Sequence, residues 1–209
     1  MSEDLFSKSI VFPEQVEIKM PSAAFMAHIR GFSVPAGKTA MWTLGQNAWV
    51  LKTEEGRVIA IDPYLTDFCA SERTGVRNER SRILPVFIEP EDLDADIIVL
   101  THGHRDHTDP WTIERYPRKD STLFLAPWQS VLVLKEAGVS SSRIELMHPL
   151  QTWKEPGLEI TGCFAEPTSY EELNHMGFAF RFSHGRVYYN SGDTAKSELL
   201  GHVKSFGVD

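Results

Sequence analysis

Three histidines and an aspartate fall within six positions in Thr101-His102-Gly103-His104-Arg105-Asp106-His107. Neutral imidazole is the commonest nitrogen ligand for zinc and related ions, and groups set at the end of a strand are held rigidly at a sheet edge. The spacing governs how they can act. If the chain runs on extended, His102 and His104 point the same way by the period of two and can hold one ion together. Asp106 and His107 then lie a turn further on and can serve a second ion. Gly103 permits close backbone approach and unusual dihedrals between the ligands. A chance cluster of solvated histidines is the bland reading, but an ordered His-x-His-x-Asp-His directly after an apolar run is specific and points to divalent-metal chemistry.

The elements that must position these groups can be traced along the chain. Asp96 to Leu100 is an aspartate followed by Ile-Ile-Val-Leu, the pattern of a strand buried on both faces, and the polar cluster begins where it ends. Before it, Ala40 to Leu44, Ala48 to Lys52 and Arg57 to Ile61 read as three short strands in quick succession. The segment Asp67 to Arg82 reads as a long loop near Asp62. After the cluster come a short helix from Pro110, a strand at Thr122 to Ala126 and a helix from Pro127 to Ala137 closed by Gly138. Strands at Arg143 to Met147, Leu158 to Phe164, Met176 to Phe182 and Arg186 to Asn190 follow, with a last helix over Ala195 to Lys204. A β-rich start, one βαβα passage and a β-rich return predict a mixed α/β (α+β) sandwich with helices packed outside the sheets. Residues 1–35 read as an irregular N-terminal arm and 36–209 as one domain.

Composition narrows the partners. There are 21 basic and 29 acidic residues, a net charge of −8, with no basic stripe, which argues against nucleic acid as the main partner. No stretch approaches the length of a membrane span and the first residues lack a leader pattern, so a cytoplasmic protein with no membrane partner is expected. Cys69 and Cys163 read as reduced thiols outside any mechanism. His28, His148, His184 and His202 read as surface or packing residues.

The motif His102-x-His104-x-Asp106-His107 resembles the signature of the metallo-β-lactamase superfamily, whose fold is an αββα sandwich. More narrowly, Val34-Pro-Ala-Gly37-Lys-Thr-Ala-Met-Trp42-Thr-Leu-Gly45, followed by Trp49-Val-Leu-Lys52, resembles the start of the L-ascorbate-6-phosphate lactonase family. The stretch from Pro85 through Ile88-Glu-Pro90 to Ile97-Ile-Val-Leu100-Thr-His102 does so too. Tyr189-Asn-Ser191-Gly192-Asp193-Thr194 resembles the superfamily's metal-bridging segment, so the resemblance implies that Asp193 bridges two ions. Gly192 would free the backbone to turn, and a capping Asp is the bland alternative. Asp62 resembles the strand-end acid beside the metal loop, where it would orient a ligand histidine.

The superfamily commonly supplies a further first-site histidine between these motifs. Here the stretch Phe164-Ala-Glu166-Pro-Thr168-Ser-Tyr170 holds none, and Glu166 or His175 could take that place. An oxygen-rich shell would move the preference from zinc toward manganese. The family's last ligand, a late histidine, falls beyond residue 209, and Phe206-Gly-Val208-Asp209 reads as the start of a buried strand. A C-terminally incomplete domain is therefore expected, with open edges that favour self-association as a homo-oligomer.

The resemblance implies one or two divalent ions, manganese or zinc, that activate a water, with Asp106 moving a proton as well as binding metal. Its implied substrate is a lactone of a phosphorylated sugar acid. Such a small anion needs a local cation, and Arg73, Arg77, Arg80 and Arg82 are placed for that by position. Two other readings stand beside it: a metal-dependent phosphodiesterase or nuclease of the same superfamily, and a metal-binding protein without catalysis.

Overall fold

The computed structural model describes residues 20–71, 81–167 and 174–208. The chain forms helix α1 (Ser22–Gly31), strands β1 (Ala40–Gly45), β2 (Ala48–Lys52) and β3 (Val58–Ile61), and the single turn α2 (Phe68–Ser71). Strand β4 (Ile97–Val99), helix α3 (Pro110–Arg115), β5 (Leu123–Ala126), α4 (Trp128–Glu136) and β6 (Ile144–Leu146) follow. Strands β7 (Thr152–Glu155), β8 (Leu158–Phe164), β9 (Met176–Phe182) and β10 (Val187–Asn190) precede a closing 3₁₀ helix, Glu198–Phe206.

These strands make two sheets, one ordered β1-β2-β3-β4-β5-β6 and the other β10-β9-β8-β7. The first is antiparallel through its hairpins and parallel from β3 to β6. Alternation along the strands sends side chains to two separate cores. Ile59, Ile61, Ile97 and Val99 meet Ile160, Phe178 and Phe180 of the second sheet. Val58, Ala60, Ile98 and Phe124 on the opposite face pack against Met26 and Ile29 of α1, Ile113 of α3 and Val131 and Leu134 of α4. The outer face of the second sheet packs Cys163, Ala179 and Val187 against Val203 and Phe206 of the 3₁₀ helix. The layers are thus helix, sheet, sheet, helix, the mixed α/β sandwich expected from the sequence. No helix among the described residues is long and apolar enough to cross a membrane.

Four local readings change. The segment before Pro35 carries α1, hidden from periodicity because the helix buries only Met26 and Ile29. Strand β7, unread in the sequence, pairs with β8, and its residues Thr152–Glu155 are only partly buried, so its pattern gives little signal. The last helix is of the 3₁₀ kind and starts at Glu198, capped by Ser197. Phe206 closes that helix and Gly207 adopts a left-handed conformation at φ 66°, so Phe206-Gly-Val208 is a helix end and not the start of a strand.

Chain direction decides where function can sit. β3 and β4 run parallel, so Asp62 and Thr101-His102 leave the sheet at one edge, the edge where open α/β sheets bind ligands. The β1–β2 turn lies at the same end, because Trp49 pairs with Ile61. Met176 donates its amide to the Thr101 carbonyl at 3.0 Å, which ties the start of β9 to that edge. Since Asn190 pairs with Phe178, the end of β10 arrives there too.

Candidate metal centre

Asp62 sits at the centre of this edge, fully buried and with a positive φ of 43°. Its carboxylate accepts from the Thr101 amide at 2.7 Å, from the Thr101 hydroxyl at 2.6 Å and from His107 Nδ1 at 2.8 Å. The Thr101 hydroxyl has spent its proton on Asp62, so it accepts from His102 Nδ1 at 3.0 Å. One carboxylate therefore fixes two imidazoles, His107 directly and His102 through a hydroxyl, and leaves their Nε2 atoms to face the site. This is the outer support that metal-binding histidines generally need. The far side is clamped as well: Thr108 donates to the His102 carbonyl at 2.6 Å, and Asp109 caps α3 while accepting from Thr66 and Thr112.

His102 Nε2 and His104 Nδ1 lie 2.9 Å apart, so the two histidines converge as the period of two requires. The third member is His175, whose Nδ1 donates to the Asp193 carbonyl at 3.0 Å and whose ring stacks on His102 with centroids 3.9 Å apart. The ligand atoms of His102, His104 and His175 all lie within 4.8 Å of one another, as do those of His102, His107 and Asp193. Between the two residues that the sequence left open, His175 enters the cluster, whereas Glu166 is exposed and uses its backbone on Thr194 and Ala195. Asp106 stands outside both groups among the described residues, and instead lines a cleft beside His104. Gly103 does not use a left-handed backbone; a side chain there would bring its Cβ to 2.8 Å from Gln129 Cβ. Gly192 needs both freedoms, with φ 54° and a would-be Cβ 2.9 Å from Thr101 Cβ.

These donors fit a divalent ion. Imidazole nitrogens and a carboxylate are the usual ligands of zinc and manganese, the Nδ1 atoms of His102, His107 and His175 are occupied, and two groups that share His102 give two adjoining positions. Electrostatics leaves His102 and Asp193 in their ligating forms and His107 protonated. Burial, then repulsion from His107, His175 and His104, pushes the His102 imidazole far down, so it stays neutral. Burial alone would lower His107 too, but Asp62 and Asp193 outweigh it and raise His107 to about 10. Asp193 is held down at about 2, chiefly by its hydrogen bond to His107.

It follows that the metal-free chain carries a proton on His107 at neutral pH, and an ion bound through that imidazole must expel it. Metal affinity at the His107 position should therefore rise about tenfold per pH unit from pH 6 toward the raised value, and weaken by the same slope as pH falls. Calorimetric titration at pH 7.5 in two buffers of different ionisation enthalpy should report close to one proton released for that ion. Zero release would mean that His107 is neutral before the metal arrives.

The cleft beside His104 and Asp106 has a volume of about 390 Å³ and is otherwise lined by Gln46, Tyr64, Cys69, Ser81 and Ile83. Arg82 does not serve it. Its guanidinium is buried and donates to the carbonyls of Leu44, Tyr64, Leu84 and Pro85, so it braces the walls. Arg73, Arg77 and Arg80 lie outside the described residues. His28 and His148 are exposed, and His184 and His202 bond Thr39 and the Phe164 amide, away from the cluster.

Residues 41–202 match the family of the beta-lactamase superfamily domain. A UPF0173 metal-dependent hydrolase of Anoxybacillus flavithermus is 29% identical over 173 residues, a match that covers 76% of this chain and 67% of that protein. The chain thus spans about two thirds of the length of that relative. Among solved structures, isothiocyanate hydrolase from Delia radicum gut bacteria superposes with a TM-score of 0.65 at 20% identity, over 82% of this chain and 69% of that one. A possible metal-dependent hydrolase from Veillonella parvula superposes with a TM-score of 0.63 at 17% identity, over 81% and 68% of the two chains. Both likenesses are of fold.

Proposed function

We propose, for a chain that belongs to the beta-lactamase superfamily, that it is a metal-dependent hydrolase that opens a small ester or lactone in the cleft beside His104 and Asp106. The observation that carries this reading is the convergence of four histidines and Asp193 on one sheet edge, with the Nδ1 atoms of His102, His107 and His175 already committed. The names of the relatives, metal-dependent hydrolases, support it.

His102, His104 and His175 would hold one divalent ion, and His107 and Asp193 a second. Such ions supply Lewis acidity and lower the pKa of a water toward about 7, so that no strong protein base is needed. The chain's own residues do the rest. Asp62 and Thr101 keep two imidazoles in the ligating tautomer. Asp106, which lines the cleft, would take a proton from the attacking water and return it to the leaving alcohol oxygen. Gln46 and Ser81 offer hydrogen bonds to the substrate's polar atoms, and Ile83 an apolar wall.

The finer substrate, a lactone of a phosphorylated sugar acid, rests on the sequence resemblance. Arg82 gives it no help, and no other cation lines the cleft among the described residues. The test is a panel on manganese- and zinc-loaded protein: a simple γ-lactone, the same lactone bearing a phosphate, and a bis-aryl phosphodiester. Ring opening of the lactones and no turnover of the phosphodiester is the expected result. Turnover of the phosphodiester alone would move the protein to the nuclease branch, and turnover of none would leave a metal-binding protein without catalysis.

A further inference from the structure

The turn between β1 and β2 consists of Gln46 and Asn47, and it is shaped against local preference. Gln46 holds φ at 52° and Gly45 at 88°, and the pairing register of the two strands shifts between Thr43 and Gly45. A two-residue hairpin turn calls for a positive φ at its first position, and here a glutamine supplies it in place of the usual glycine or asparagine. What the shape achieves is to place the Asn47 carboxamide in the metal centre. Its Nδ2 lies 3.1 Å from His107 Nε2 and 3.0 Å from Asp193 Oδ1, two residues far away in the chain.

Those separations are the ones that ligands of a common ion show. Donors about 2.1 Å from a six-coordinate centre stand roughly 3 Å from their neighbours along each edge of the octahedron. A half-turn about the Cβ–Cγ bond exchanges the amide's nitrogen and oxygen in place, which brings a carbonyl oxygen to the point where His107 and Asp193 converge. The amide's two ends are nearly the same size, so this rotation asks for no repacking. Carboxamide oxygens are ordinary ligands for hard cations.

The geometry points to Asn47 as a protein ligand of the second ion, through its carboxamide oxygen. This rests on the metal-centre reading above and deepens it: the second position is then built from one imidazole, one carboxylate and one neutral oxygen. Such a set favours manganese over zinc there, while the three imidazoles of His102, His104 and His175 favour zinc in the first position. The first position does not depend on Asn47, whose amide bonds His107 and Asp193 of the second.

Titration of the metal-free chain with Mn²⁺, read by calorimetry, tests it in wild type, Asn47→Ala and Asn47→Asp, with circular dichroism to confirm folding. Wild type should bind two ions. Asn47→Ala should keep the first and bind the second at least tenfold more weakly. Asn47→Asp, which leaves an oxygen in place, should bind the second within a few fold of wild type or more tightly. If Asn47 only donated an N–H to Asp193, its loss would leave that carboxylate free for the ion. Asn47→Ala would then bind the second ion as tightly as wild type or more tightly, and that result would overturn the proposal. Wild type that takes up no ion would remove the metal centre itself, and the inference with it.

Discussion

Replacing His102 with alanine should strip the first ion from the protein and bring hydrolysis to background. His102 belongs to both close ligand groups, yet one nitrogen can serve only one ion, and its 2.9 Å approach to His104 Nδ1 assigns Nε2 to the first position. Loss of a partner behind a ligand typically costs about 10 to 100-fold in metal affinity, so loss of the ligand itself should exceed that range. Folding should survive, since removal of a buried side chain of this size costs about 2 to 4 kcal/mol against a total of about 5 to 15. The comparison is His148→Ala, an exposed residue outside the cluster, which should leave metal content and rate unchanged. Elemental analysis of the two variants beside wild type reads the result, and equal losses would mean that the site lies elsewhere.

The second large effect belongs to a residue that need not touch metal. Asp62→Ala removes the acceptor for the Thr101 amide, the Thr101 hydroxyl and His107 Nδ1 at once, all of them buried. Breaking a buried pair in this way costs about 3 to 5 kcal/mol, because the donors are left with neither partner nor water. The imidazoles of His107 and His102 also lose the group that holds their tautomers, so metal affinity should fall about 10 to 100-fold. Asp62→Asn keeps the shape and one acceptor oxygen, and asparagine tolerates the positive φ, so it should fall between alanine and wild type on both scales. Denaturant unfolding and metal titration of the three proteins provide the check. Wild-type stability in Asp62→Ala would show that the hydrogen bonds around this carboxylate do little.

The parts of the site that could be read in the sequence were those whose signal is local. His102, His104 and His107 follow one another at the end of a buried strand, and Asp193 stands in a glycine turn at the end of another, so spacing and a strand pattern sufficed to find them. Asp62 was visible for the same reason, as an acid at a strand end. The fold followed from the rhythm of short apolar runs, with α1 and β7 lost because few of their residues are buried. His175 and Asn47 gave little such signal. Each is a single polar residue beside a strand, and each gains its meaning only when the two sheets bring it against residues distant in the chain. Arg82 shows the converse: its position beside the loop suggested an anion site, but four carbonyls claim its guanidinium. Asp106 sits in the same motif, falls outside both close groups of ligand atoms and lines the cleft beside His104.

The most direct measurement of the central claim is the metal content of gently purified protein, taken with its hydrolysis of a simple lactone before chelation, after chelation and after return of manganese or zinc. The arrangement of His102, His104, His175, His107 and Asp193 predicts up to two transition-metal ions per chain, a rate that vanishes with their removal and a rate that returns with them. A chain that binds no ion, or one that hydrolyses the lactone equally well without metal, would contradict it.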